Sequence, residues 1–201
     1  MTDVALATED ELSESVGKRL LAETEGRLSP DLLLRRGGSG YLRSNIDKWC
    51  ELAHQLPVVL LTDLDRAPCP TKLLKQWLGK RNQPNDFVFR IAVRETESWL
   101  LADHVAMRQL VGKKGRLPSD PDALPEPKSF FLSLAKSAVR DIRDDLLVQQ
   151  GAIASQGIGY NARLSAFVQN IWSPERAAQR SQSLFRARVR LRELALRHEN
   201  L

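Results

Sequence analysis

The sequence predicts an α/β protein: a four-stranded, mostly parallel sheet with helices on both faces, followed by a C-terminal helical extension. Three observations carry this reading. Over residues 1–111, short apolar runs alternate with stretches whose apolar residues recur every three or four positions, and alternation of that kind builds parallel sheets. Val58-Val59-Leu60-Leu61 is apolar at every position, as a central strand covered on both sides must be. Beyond a proline-rich stretch at 112–127, only helical patterns remain.

Taken in order, Val4–Ala7 is the first strand. Thr8 and Glu11 have the S/T-x-x-E spacing of a capping box, which predicts a helix beginning there. Leu12, Val16 and Leu20 place one apolar face on it, and Leu28-Ser29-Pro30 ends it. Leu32–Arg35 is the second strand, Gly37-Gly38-Ser39-Gly40 a turn, and Tyr41–Leu56 a helix with Leu42, Ile46, Trp49 and Ala53 inward. The third strand, Val58–Leu61, runs into Thr62-Asp63-Leu64-Asp65. Pro68 and Pro70 interrupt the chain before a helix marked by Leu73, Leu74, Trp77 and Leu78. Phe87–Val93 is the fourth strand, and Glu95–Val111 a helix carrying Trp99, Leu100 and Met107. Residues 112–127, with Pro118, Pro121, Pro125 and Pro127, read as a linker or long surface loop. The region 128–201 is expected to be helical and to pack on the first domain. Its helices are Ser129–Val148, Ala162–Trp172 and Pro174–His198, the last opened by Ser173-Pro174-Glu175. Gly157-Ile158-Gly159-Tyr160-Asn161 reads as a helix connection.

Composition bounds the function. Apolar residues make up 42% and charged residues 27% of the 201, values ordinary for a globular protein. No apolar run approaches the roughly 18 residues of a membrane span. The opening MTDVALATEDELSE is acidic, unlike a signal or transit peptide. Cys50 and Cys69 read as free thiols, so a cytoplasmic protein is expected. The net charge of +5 is unevenly spread: residues 1–14 hold five acids and no base, and residues 175–199 hold seven arginines against three glutamates. The basic end is either a solvated helix face or a surface for an anionic partner.

In a parallel sheet, ligands bind outside the carboxyl ends of the strands. Carboxylates follow three of the four: Glu9 and Asp10 after the first, Asp63 and Asp65 after the third, Glu95 and Glu97 after the fourth. Asp63 and Asp65 are two apart, so in an extended segment both point to one side. Like charges gathered there raise one another's pKa unless a cation offsets them. An all-oxygen set without histidine or thiolate favours Mg²⁺ or Mn²⁺ over zinc, and such an ion suits phosphate chemistry. His54, His104 and His198 show no metal spacing. Each acid also has a plainer reading as a helix-start residue complementing a dipole.

Arginines supply candidate phosphate contacts. Arg35, Arg36 and Arg43 flank the glycine turn, Arg66 follows the acidic pair, and Arg186 and Arg190 share one ridge of the last helix. Arg188 and Arg192 form a second ridge beside the stripe of Leu184, Leu191 and Leu194. The glycine turn lacks the G-x-x-x-x-G-K-[ST] pattern of a nucleotide-binding loop.

A glutamate after the first strand, D-x-D after the third and an acid after the fourth resemble the Toprim fold of topoisomerases, primases and the overcoming-lysogenisation-defect nucleases. The segments ATEDELSESVGKRLL, VVLLTDLDR, RIAVRETESWLLAD and GYNARLSAFVQNIWSPERAAQRSQSL are similar to an uncharacterised bacterial Toprim-like family often encoded beside an ATPase, in modules associated with phage defence. The resemblance implies that Glu9 takes the place of the general acid/base glutamate, that Asp63 and Asp65 take that of the metal-binding pair, and that Glu97 is the later acid. It further implies a Mg²⁺- or Mn²⁺-dependent nuclease or phosphoesterase acting on nucleic acid, DNA in preference to RNA, or a non-catalytic sensor subunit docked on an ATPase. Asp10 stands where the Toprim glutamate is usually followed by glycine, and the resemblance leaves it as an extra metal ligand or as a mark of drift from catalysis.

Overall fold

The computed structural model describes residues 1–148 and 156–199. Its core is a four-stranded, all-parallel sheet in the order β2-β1-β3-β4, where β1 is Thr2–Thr8, β2 Leu28–Arg35, β3 Val58–Asp63 and β4 Phe87–Ala92. Side chains alternate between the faces of a strand. Val4 and Leu6 of β1, Val59 and Leu61 of β3 and Val88 of β4 enter one core, while Ala5, Ala7, Val58, Leu60, Phe87, Phe89 and Ile91 enter the other. This two-sided burial is why Val58–Leu61 has no polar alternation.

The second core is closed by α2 (Gly38–Ser44), α3 (Ile46–Leu52) and α4 (Pro70–Leu78), through Leu42, Ile46, Trp49, Leu73 and Trp77. The first is closed by α1 (Glu11–Ala22), α5 (Glu97–Ala102), α6 (His104–Val111) and α7 (Pro127–Ala135), then by α9 (Tyr160–Asn170) and α11 (Gln182–Arg197). Two short helices, α8 (Arg140–Leu146) and α10 (Pro174–Ala177), complete the chain. Residues Val4 to Ala195 share this first core, so the C-terminal helices are part of the sheet's own covering. None of the helices among the described residues is long and apolar enough to cross a membrane.

Several expected boundaries move, each for a physical reason. β1 continues through Thr8, so Thr8 does not cap α1. Asp10 does, accepting from Ser13 N at 2.8 Å, while Ser13 Oγ receives the Asp10 N–H at 3.1 Å. Leu28-Ser29-Pro30 is the start of β2, because Thr2 pairs with Leu28. Pro30, which has no N–H to give, sits at a register shift on this edge strand, where a bulge tolerates it.

The helix expected over Tyr41–Leu56 breaks at Asn45. There the Asn45 amide and Trp49 Nε1 take the carbonyls of Tyr41 and Leu42, at 2.8 and 3.0 Å. That over Glu95–Val111 breaks at Asp103, which caps α6 through Ala106 N. Ser129–Val148 divides into α7 and α8, and Pro174–His198 into α10 and α11, with Ser173 and Ser181 as caps of the latter two. The proline-rich stretch is anchored by buried Leu117 and Pro121.

The Gly157–Asn161 connection is tight. A Cβ on Gly157 would lie 2.2 Å from the Asp145 carbonyl oxygen, and backbone cannot yield as a side-chain tip does. Gly157→Ala is expected to cost about 1–3 kcal/mol, read as a lower urea midpoint with unchanged slope.

Candidate metal centre

Chain connections leave the sheet in opposite directions at its middle. β1 leads by α1 over one face to β2; β3 leads by α4 over the other face to β4. Between the carboxyl ends of β1 and β3 this divergence opens a crevice, the place where open α/β sheets bind ligands.

Glu9 leaves β1 into that crevice and is held from β3: its Oε1 accepts the Asp63 N–H at 2.9 Å and the Thr62 hydroxyl. Asp63 ends β3, and its Oδ1 accepts the Thr96 hydroxyl at 2.7 Å. Glu97 opens α5, buried at 4% exposure. Its Oε1 accepts the Tyr160 hydroxyl at 2.7 Å, and Lys128 Nζ lies 3.7 Å away. Lys128 also stands 5.0 Å over the Tyr160 ring, and its N–H is fixed by Glu95 Oε2 at 2.7 Å.

Burial raises all three carboxyls, Glu9, Asp63 and Glu97. Asp63 is raised most plainly, with Glu97 and then Glu9 adding their repulsion. For Glu9, the bonds from Thr62 and Asp63 N oppose that rise and Asp65 and Asp10 add to it; for Glu97, Lys128 and Tyr160 oppose it. Acids from three strand ends thus feel one another.

The other predicted residues divide. Asp65 is exposed and lies in the left-handed region at φ 49°. The extended D-x-D expected from the spacing is therefore bent after Asp63. The bend is fixed by Asp65 N bonding Arg94 O at 2.9 Å, and by the Arg94 guanidinium bonding Asp65 O and Ala67 O, both at 3.0 Å. Left-handed backbone costs an aspartate little. Asp65 and Arg66 still line a cleft of about 350 Å³ with Asp63 and Arg43. Asp10 is occupied as the α1 cap.

Arg35 bonds Glu14 at 3.0 Å, and Arg36 is exposed. Arg186 and Arg190 lie elsewhere, beside β4. The second basic ridge is overturned: Arg188 is buried and grips Glu23 through two bonds of 2.7 and 2.9 Å.

Sequence reading missed Thr62, Thr96, Lys128 and Tyr160. Thr62 and Thr96 sit beside named acids, a signal that was available; Lys128 and Tyr160 come from far along the chain.

The donor chemistry fits a hard divalent ion. No three His, Cys, Asp or Glu side chains among the described residues form a ready-made cage. Mg²⁺ does not require one, since it is commonly held by one or two carboxylates with water and phosphate filling the rest. Glu9 and Asp63, bridged by a backbone N–H, are the pair placed for that. Thr8 Oγ1, buried at the end of β1 without a hydrogen-bond partner among the described residues, is a further oxygen at this level of the sheet.

Tyr160→Phe tests the buried end of the site. It leaves Glu97 without its hydroxyl donor and is expected to cost about 1–3 kcal/mol while raising the Glu97 pKa further. Denaturant melts and a carboxyl-resolved NMR titration check both.

A family model described as "Domain of unknown function (DUF4276)" matches residues 7–139, a span that holds every acid of the crevice. No curated protein and no solved structure matches the chain.

Proposed function

We propose that this chain, which belongs to the DUF4276 family, is a cytoplasmic, divalent-metal-dependent nuclease or phosphoesterase of Toprim type acting on nucleic acid. The observation that carries the reading is the bridge across the crevice: Glu9 of β1 bonded to Asp63 N of β3, with the Asp63 carboxyl raised by burial and then by Glu97 and Glu9. Acids are gathered where repulsion penalises their ionisation, and a cation relieves that penalty.

Bound between Glu9 and Asp63, Mg²⁺ or Mn²⁺ would polarise a phosphoryl oxygen and acidify a water. The chain's own groups do the rest. Glu9 Oε1 is fixed by Thr62 and Asp63, which leaves its second oxygen without a protein partner among the described residues, to orient or deprotonate a water. Arg43 and Arg66 line the cleft beside Asp63 and Asp65 and hold the scissile phosphate's neighbours. Lys128 and Tyr160 keep Glu97 in place.

The test is cleavage of labelled single- and double-stranded DNA and of RNA with Mg²⁺ or Mn²⁺, run beside an EDTA control. Metal-dependent cleavage lost in Asp63→Asn supports the reading. Cleavage indifferent to EDTA and to Asp63 removes it.

One observation favours a second reading. Asp10 is spent on capping and Glu97 is closed by Tyr160 and Lys128, which leaves few free oxygens. A non-catalytic sensor subunit docked on an ATPase would need none. Inactivity with both metals, together with stable co-purification with an ATPase, selects it.

A further inference from the structure

A group of cations lies away from the crevice, on the edge strand β4. Val88 and Ala92 face the core shared with the C-terminal helices, and Arg90, between them, shares their side of the strand. Its Nε is shielded from solvent and has no hydrogen-bond partner among the described residues. Arg186 and Arg190, one turn apart on α11, stand beside it. With Phe185, Val189 and Glu193 these arginines line a cavity of about 360 Å³.

Within this cavity three guanidiniums meet one carboxylate, and Glu193 Oε2 is already taken by Arg190 Nη1 at 2.6 Å; Asp122, in the adjoining cavity with Arg90 and Arg186, is held by Ser181 and Ser183. Among the described residues the ion pairs of this face, Arg190–Glu193, Arg197–Asp86 and His198–Asp86, include neither Arg90 nor Arg186. Burial first, then Arg190 and Arg186, pull the Arg90 pKa down. A partly buried guanidinium beside two like charges is costly unless an anion supplies its acceptors. A tetrahedral oxyanion has enough oxygens to meet two or three planar forks at once.

From this we infer that β4 and α11 form an anion site of their own, in which Arg90, Arg186 and Arg190 take a phosphate group. The site stands on its own residues and does not depend on a metal in the crevice. The same chemistry serves a free phosphate compound or one phosphate of a nucleic-acid backbone.

The full chain, in EDTA and chloride buffer, is titrated with pyrophosphate at one ionic strength and, separately, with a labelled single-stranded oligonucleotide at several chloride concentrations. Binding is expected to weaken at least about tenfold in Arg90→Gln and in Arg186→Gln. For the oligonucleotide, the salt slope should fall by about 0.7 per phosphate contact removed.

Arginine-dependent binding of pyrophosphate identifies a free phosphate ligand. Arginine-dependent binding of the oligonucleotide alone identifies the backbone. Should Arg90→Gln fail to fold, exposed Arg186 carries the test. The inference is overturned if neither ligand binds above chloride, or if both bind the two variants undiminished. Failure of metal-dependent cleavage bears only on the crevice.

Discussion

Asp63→Asn is expected to abolish metal-dependent phosphodiester cleavage and, at the same time, to make the metal-free protein more stable above neutral pH. The loss of activity follows from position. Asp63 ends β3 and its N–H bridges to Glu9, and its carboxylate is one of the two proposed to hold the ion. Removing residues that merely orient metal ligands costs about 10–100-fold, so removing a ligand should cost more than about 100-fold.

The gain in stability follows from linkage. Asp63 has a pKa raised well above its ordinary 3.8 by burial and by Glu97 and Glu9. Folding therefore strengthens its hold on a proton, and the folded state is favoured at low pH. That contribution fades as pH rises from the ordinary value through the raised one. Asparagine keeps the shape without the titration, so the variant's advantage should grow across that window and level off above it. Mn²⁺ competes with the same proton, so its stabilisation of the unaltered protein should grow over the same interval and be absent in Asp63→Asn. Melts with and without Mn²⁺, taken between pH 5 and 8, read both. A variant less stable than its parent at the alkaline end would show that the carboxylate's bond to Thr96 outweighs the repulsion, and would sink the metal-site account.

What the sequence disclosed, and what it hid, follows the range of the forces involved. The strands were legible because period-two burial is local. Val58–Leu61 has no polar position, and only a sheet covered on both sides accommodates that. The grouping of Glu9, Asp63 and Glu97 was legible because topology brings the carboxyl ends of parallel strands together, whatever the loops do.

Helix ends were less so. Thr8 and Asp10 both suit a cap, and only the length of β1, set by pairing with β2 and β3, decides between them. Breaks at Asn45 and Asp103 depend on partners met only in the fold. The bend at Asp65 was hidden for the same reason, since it is fixed by Arg94 from the next strand end. Arg90 does leave a local mark: it is the one charge within Phe87-Val88-Phe89-Arg90-Ile91-Ala92, on a strand otherwise buried. Lys128 and Tyr160 left none, because nothing local to either reveals that Glu97 is its partner.

Asp103→Ala is the substitution expected to damage the fold most. The carboxylate is fully buried, and its bonds join its own helix start to Ser173 and Arg176, some seventy residues on. Oδ1 accepts Ala106 N at 3.2 Å, starting α6, and Arg176 Nε at 2.9 Å; Oδ2 accepts Ser173 N at 2.8 Å and Arg176 Nη2 at 2.7 Å. One side chain thus caps α6, places the start of α10 and ties the C-terminal helices to the break after α5. Deleting it strands buried donors and one half-exposed guanidinium, and breaking such a pair costs about 3–5 kcal/mol. Against a total of about 5–15 kcal/mol, that is a large share. Arg176, at 39% exposure against 0% for Asp103, is the less costly partner to remove: Arg176→Ala leaves a charge that water cannot reach, but that charge keeps the N–H groups of Ala106 and Ser173. The two are expected to be strongly non-additive, with the double variant costing less than the sum of the singles. Urea denaturation of the four proteins measures the coupling. Hydrogen exchange in Asp103→Ala should show α10 and α11 opening ahead of the sheet. A single-variant cost below about 1 kcal/mol would mean that the C-terminal helices are held by their apolar faces alone, through Trp172, Leu184, Leu191 and Leu194, and that the buried ion pair merely sets where they begin.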